Sequence, residues 1–290
     1  MTPLAPELIA QVTSHLLPDK DVRTLRAGSL VCALFRPIFQ EALWSRVELD
    51  DYNWMRNQDR KRKNRRKPGS YAPGALLLRV LQDSPRLLTY IKTLTIRETQ
   101  GVSWAQQDPL IIDTLHYISQ GRVQGFTCRL MLMPTSEANC PEDLGKALSL
   151  IFSMPTLAKL TVINVPLRFL DLSGGGLRQL SIDFDQQIPS TVYLPGQLPE
   201  PLNGRPSITT LSIPAHCTQL VTEASSQVDL QSLKDLTISQ SELVSGRRPK
   251  KSAIVSGAHK LLSICGPSLK EIALEKDGTS LSVLLVSSIR

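Results

Sequence analysis

"LKDLTI", residues 233–238, runs apolar, two others, apolar, one other, apolar. Its last four residues alternate, which is the pattern of a short strand with one buried side. The phrase recurs as IKTLTI (91–96), LAKLTV (157–162), LRFLDL (167–172), LRQLSI (177–182), ITTLSI (208–213) and LKEIAL (269–274). Seven copies between residues 91 and 274 exceed the chance expectation for a leucine-rich chain.

Helical stretches lie between several copies. GALLLRVLQDSPRLLTY (74–90) places Leu77, Val80, Leu81 and Leu88 near one face. PEDLGKALSLIFSMP (141–155) does the same with Leu144, Leu148, Ile151 and Phe152, and SAIVSGAHKLLSICGPS (252–268) with Val255, Leu261, Leu262 and Cys265. Helix, proline and strand phrase form one unit. Such strand–helix repeats read as a leucine-rich-repeat-like solenoid whose strands line a concave face. The expected fold class is therefore α/β.

The array is irregular. Phrase starts are separated by 66, 10, 10, 31, 25 and 36 residues, whereas a regular array holds at roughly 20–29. Most copies lack the Asn that satisfies turn backbone after the strand; Asn164 is near the place but one residue off. The 10-residue gaps leave no room for helices, so LDLSGGGLRQL (170–180) reads as two neighbouring strands joined by a tight loop. TSLSVLLVSSIR (279–290) reads as one more strand ending at the terminus. Solenoids usually close with a polar cap, so the region reads as a truncated or short form. Positions between the strand leucines are the candidates to face a ligand: Lys159, Asp171, Gln179, Thr210, Asp235 and Glu271.

Upstream the period is helical. Pro6 suits the first position of a helix, where a missing N–H costs nothing. Glu7 places its charge at the positive helix end. Leu8, Ile9, Val12 and Leu16 follow as one apolar face, and Pro18 stops the element. Asp19 or Asp21 caps a second helix through Leu25 and Leu30 toward Phe35, which Pro37 breaks or kinks. A third carries Ile38, Phe39, Leu43 and Trp44, and LWSRVEL (43–49) turns to a strand with Val47 and Leu49 on one side. Units below roughly 70–80 residues normally need extra support. A partner protein or the rest of the chain would cover the surplus apolar surface.

LAPELIAQVTSHL, LRAGSLVCALFRP and ALWSRVEL together resemble the F-box, as found in the large fungal F-box-like families. The match lies at Leu4, Pro6, Glu7, Leu8, Ile9, Leu16, Leu25, Ser29, Leu30, Val31, Cys32, Arg36, Pro37, Leu43 and Trp44. The chain departs at Ala5, often Pro in the family, at Ala33, usually basic, and at Phe35, usually Trp. The resemblance covers about a sixth of the chain. It implies that residues 1–50 form an F-box-like unit, of which residues ~3–47 dock the Skp-type adaptor of a Skp–cullin–F-box ubiquitin ligase. The implied adaptor-binding residues are Leu4, Pro6, Leu8, Ile9, Val12, Leu16, Leu25, Leu30, Val31, Cys32 and Phe35. Physically this is helices laying apolar side chains into a partner's groove. The repeat region, 76–290, would then hold an unidentified target protein, an irregular C-terminal half of this kind being similar to those of fungal F-box-like proteins.

Residues 56–67, RNQDRKRKNRRK, carry eight Lys/Arg and one acid, a net +7 that equals the charge of the whole 290-residue chain. Pro68, Gly69, Pro73 and Gly74 follow, so 51–75 reads as a linker or projecting loop between the two units. Three readings stay open: a solvated loop, a nuclear-import signal, and phosphate contacts. For the last two the residues are Arg60, Lys61, Arg62, Lys63, Arg65, Arg66 and Lys67. No aromatic interleaves them for base stacking, so nucleic acid is not the expected partner. A nuclear nucleic-acid-associated scaffold remains an alternative function, as does a repeat protein whose N-terminal helices only cap the array.

The remaining chemistry is sparse. Apolar residues make up 41% of the chain, which suits a globular protein. Cys32, Cys128, Cys140, Cys217 and Cys265 are odd in number and lack a C-x-x-C pair, which fits reduced intracellular thiols. The N-terminus lacks a basic n-region, and no apolar run approaches the ~20 residues that span a bilayer. A cytoplasmic or nuclear location without membrane contact is expected. No G-x-S-x-G, H-E-x-x-H or phosphate loop is present, and His15, His116, His216 and His259 lack metal-ligand spacing. SGGG (173–176) reads as a loop needing positive φ. No enzyme, metal or cofactor is expected. Trp54 and Trp104 read as ordinary packing, with a partner anchor as the alternative.

Overall fold

The computed structural model describes residues 6–16, 20–50, 72–98, 104–130, 141–165, 170, 172, 175–183, 206–214, 229–240, 263, 265, 268–276 and 279–284. The described chain is mixed α/β. It opens with three helices, α1 (Pro6–Ser14), α2 (Val22–Val31) and α3 (Arg36–Trp44), and then strand β1 (Arg46–Asp50). Pro37 does not break α2. That helix ends at Val31, Cys32 is extended, and Pro37 lies in the first turn of α3, where a missing N–H costs nothing. Gly28 lets α2 and α3 approach, because a Cβ there would overlap the Phe39 ring.

Nine strands form one sheet in chain order. They are β1, β2 (Thr93–Arg97), β3 (Gly125–Arg129), β4 (Lys159–Ile163), β5 (Gln179–Asp183), β6 (Thr210–Pro214), β7 (Asp235–Gln240), β8 (Glu271–Lys276) and β9 (Thr279–Leu284). β1 to β8 are parallel, and β9 returns antiparallel to β8. One carbonyl just before each parallel strand accepts the first two N–H groups of the next. Ser45 does this for Lys92 and Thr93, Lys92 for Gln124 and Gly125, and the bond recurs down to Lys234 with Lys270 and Glu271. The junctions therefore share one geometry despite unequal connections.

Six of the seven strand phrases lie in this sheet. Of LRFLDL only Leu170 and Leu172 are described: both are buried, neither lies in a strand, and β4 pairs directly with β5. Their spacing satisfies period two because both side chains reach the core. The missed strand is β3, whose Phe126 and Cys128 alternate without a leucine. With these corrections, partnered core residues from Leu94 onward lie 32, 34, 20, 31, 25 and 36 apart, and the 66-residue gap disappears. Strand TSLSVL is present at the end, but it runs backward along β8.

A helix layer covers the buried face of the first strands. It comprises α4 (Pro73–Asp83), the four-residue α5 (Trp104–Gln107), α6 (Ile111–Ile118) and α7 (Glu142–Phe152), with α4 beside α6 and α6 beside α7. Pro85 divides the predicted long helix, so Pro85–Tyr90 forms a separate 3-10 turn. Leu77 and Leu81 are buried as their spacing predicts, but Leu78 joins them and Val80 faces outward. All four α7 residues named from the sequence are buried. Asp108 ties the layer together: its carboxylate accepts the Gly74 N–H at 2.7 Å and the Leu110 N–H at 3.1 Å.

Asn164 is better placed than its sequence position suggests. It directly follows β4 at φ 59° and is buried. Its amide Nδ2 donates to the Leu130 carbonyl at 2.9 Å, and its backbone N–H donates to the Asp183 carbonyl at 3.0 Å. One side chain thus satisfies backbone on the strand-end turn, and Asn tolerates the left-handed conformation. Gly175 has the positive φ, 69°, that the loop reading of SGGG expects.

Candidate protein-interaction surfaces

The N-terminal helices turn apolar side chains outward. Leu30 and Val31 at the end of α2 are 78% and 70% exposed, and Leu34 in the following turn is 55% exposed. Leu8 and Val12, one turn apart on α1, are 53% and 56% exposed. Single exposed hydrophobics are ordinary, but five in a 50-residue module are an unburied set. α1 buries Thr13, whose hydroxyl donates to the Ala10 carbonyl at 2.9 Å. That polar choice leaves the α1 leucine–valine stripe facing away.

The predicted adaptor residues divide accordingly. Leu8, Val12, Leu30 and Val31 are exposed, and Ile9, Leu16, Cys32 and Phe35 are half-buried. Leu25 is fully buried, so it is internal packing and not available for contact. Leu4 lies outside the described residues, and only the backbone of Pro6 is described. Leu34 was missed, because the stretch around it reads as helix continuing to Phe35. The basic residues Arg60, Lys61, Arg62, Lys63, Arg65, Arg66 and Lys67 lie outside the described residues, as do Trp54, Cys140 and Cys217. Trp104 is fully buried, and its indole N–H donates to the Arg97 carbonyl at 3.0 Å. It is core and offers no partner an anchor.

The second surface is the sheet face opposite the core. Lys159, Gln179, Thr210, Asp235 and Glu271, named from the sequence, stand in one register row across β4 to β8. Asp171 lies outside the described residues. The middle row holds Thr95, Thr127, Thr161, Ser181, Ser212 and Thr237, six hydroxyls on six adjacent strands. None of them is fully buried. Charges flank this row. Arg97 meets Glu48 of β1 at 3.3 Å, and the Thr210 hydroxyl donates to Asp235 at 3.3 Å.

Among the described residues no group of three or more His, Cys, Asp or Glu could hold a metal ion, and no helix is long and apolar enough to cross a membrane. Of the described cysteines, Cys32 is half-buried and Cys128 and Cys265 are buried. Compared with known proteins, the chain matches no family model and no curated protein.

Proposed function

We propose that this chain is a non-catalytic substrate-recruiting subunit of a Skp–cullin–F-box ubiquitin ligase. Its first two helices dock the Skp-type adaptor, and its sheet face, as the inner surface of a short, irregular leucine-rich-repeat-like solenoid, holds a target protein. The observation that supports this reading most is the exposure of Leu30 and Val31 at the positions where the F-box resemblance expects adaptor contact. Helix ends bearing paired apolar side chains suit a partner's groove.

The experiment is co-purification of the full chain with the adaptor. Capture by the wild-type chain and at least about tenfold weaker capture by Leu30→Asp or Val31→Asp is the expected result, since burying an unpaired carboxylate at the centre of an apolar contact costs several kcal/mol. Absence of the adaptor from the wild-type complex overturns the proposal.

A second reading is supported by α3 and β1. β1 extends the sheet, the Ser45 carbonyl accepts two N–H groups from the β2 junction, and Lys92 Nζ meets Glu41 of α3 at 2.8 Å. These contacts cap the array. Capping uses α3 and β1 and leaves α1 and the end of α2 unoccupied, so it is compatible with docking; only adaptor capture separates a cap from a cap that also docks. The nucleic-acid reading rests on residues 56–67 alone.

A further inference from the structure

The open sheet face pairs like charges twice, with opposite sign at its two ends. Arg97 and Arg129 are register partners on β2 and β3. Asp235 and Glu271 are register partners on β7 and β8. Like charges directly opposite on neighbouring strands destabilise a sheet. Folding alone therefore selects against both pairs. Glu48 and the register partner Asp50 on β1 offset Arg97, but among the described residues Arg129 has no carboxylate within ion-pair distance, and its Nε is buried with no hydrogen-bond partner. Between the two ends lies the hydroxyl row, whose side chains are no larger than threonine.

We propose that this face holds one extended segment of a partner protein, acidic where it crosses β2–β3 and basic where it crosses β7–β8. This rests on the reading that the sheet face is the target-holding surface. Five strand spacings of about 4.8 Å, combined with four residues of offset along the strands, separate the pairs by about 27 Å. That distance takes roughly eight residues of extended chain. The small hydroxyl floor lets a backbone lie close and offers it hydrogen bonds throughout. The segment relieves both repulsions at once, and its two charge clusters fix its direction. Nucleic acid does not fit, because the acidic pair repels phosphates.

The test uses the full chain and a fluorescein-labelled dodecapeptide with three glutamates at one end, three lysines at the other and a Gly-Ser-Thr spacer. The control has the same composition with charges alternating. At low salt the bipolar peptide binds about ten times tighter than the control, and Arg129→Glu and Glu271→Lys each remove most of that difference. Equal binding of the two peptides, or binding indifferent to both substitutions, overturns the proposal. So does preferential binding of a single-stranded oligonucleotide. A second measurement needs no ligand: Arg129→Thr and Glu271→Thr each raise Tm by about 1–3 °C as the repulsion is removed. A drop in Tm for both shows that the pairs are structural and also overturns it. Adaptor capture by the same variants stays at the wild-type level. Peptide failure with intact capture therefore defeats only this inference, and loss of wild-type capture defeats only the adaptor reading.

Discussion

The helical module and the sheet use the same residue types in opposite ways. On the sheet, leucine, isoleucine and valine alternate inward: Leu94 and Leu160 have no exposed surface, and their strand neighbours facing out are threonine and lysine. On α1 and α2 Leu8, Val12, Leu30 and Val31 face out, and the residues buried on those helices are Thr13, Leu25 and Gly28. The sheet was able to close its core because each strand lends one side to its neighbours. A module of three short helices has too little interior to do that. The same apolar residue types are therefore buried in the sheet and left exposed at Leu8, Val12, Leu30 and Val31 of the helices.

The sharpest way to break this comparison is one substitution made twice. Leu94→Ala removes a fully buried side chain and is expected to cost about 2–5 kcal/mol in denaturant unfolding. Leu30→Ala removes an exposed one and is expected to change stability by less than about 0.5 kcal/mol while weakening adaptor capture. A large stability loss at Leu30 would mean that the exposed set is part of the fold's own core.

Asn164 sharpens the picture from within the sheet. Asn164→Ala deletes the bond to the Leu130 carbonyl and places a Cβ-bearing residue without a turn-forming side chain at φ 59°. The expected cost is about 2 kcal/mol, between the two leucine effects. Hydrogen exchange should show the loss at the β3–β5 ends. Unchanged exchange at the Leu130–Asn164–Asp183 rung would refute the role given to this side chain.

Much of the sheet was legible in advance, because alternating leucine with threonine or serine is a local signal. Six strand phrases and β1 were read at the right places, and five of the outward residues do share a row. β3 was missed because Gly125, Phe126 and Cys128 lack the leucines that defined the phrase. LRFLDL reads as a strand because periodicity cannot tell a ladder from chain whose leucines, here Leu170 and Leu172, reach the core without pairing. On the interaction surfaces, helical spacing showed that Leu8 and Val12 share a face, but whether that face turns inward depends on Thr13 and on packing by α3. The like-charge pairs were invisible for the same reason: Arg97 and Arg129, or Asp235 and Glu271, become neighbours only once register is known.

Cys265 carries the smallest and most selective expectation. It lies with no exposed surface beside the start of β8, on the core side, where burial pushes its thiol up from the ordinary 9.0 to about 11. The fold holds the thiol neutral, whereas the unfolded chain lets it ionise. That contribution to stability is therefore complete below pH 9 and is lost as pH rises through about 11. Cys265→Ser should flatten the alkaline arm of the stability profile in that window. Because Cys32 is half-buried on the helical module, a thiol reagent at neutral pH should label it well before Cys265. Equal labelling rates for the two would show that the β7–β8 end of the core opens as readily as the module surface, and the contrast between a closed sheet and an open helical face would fail there.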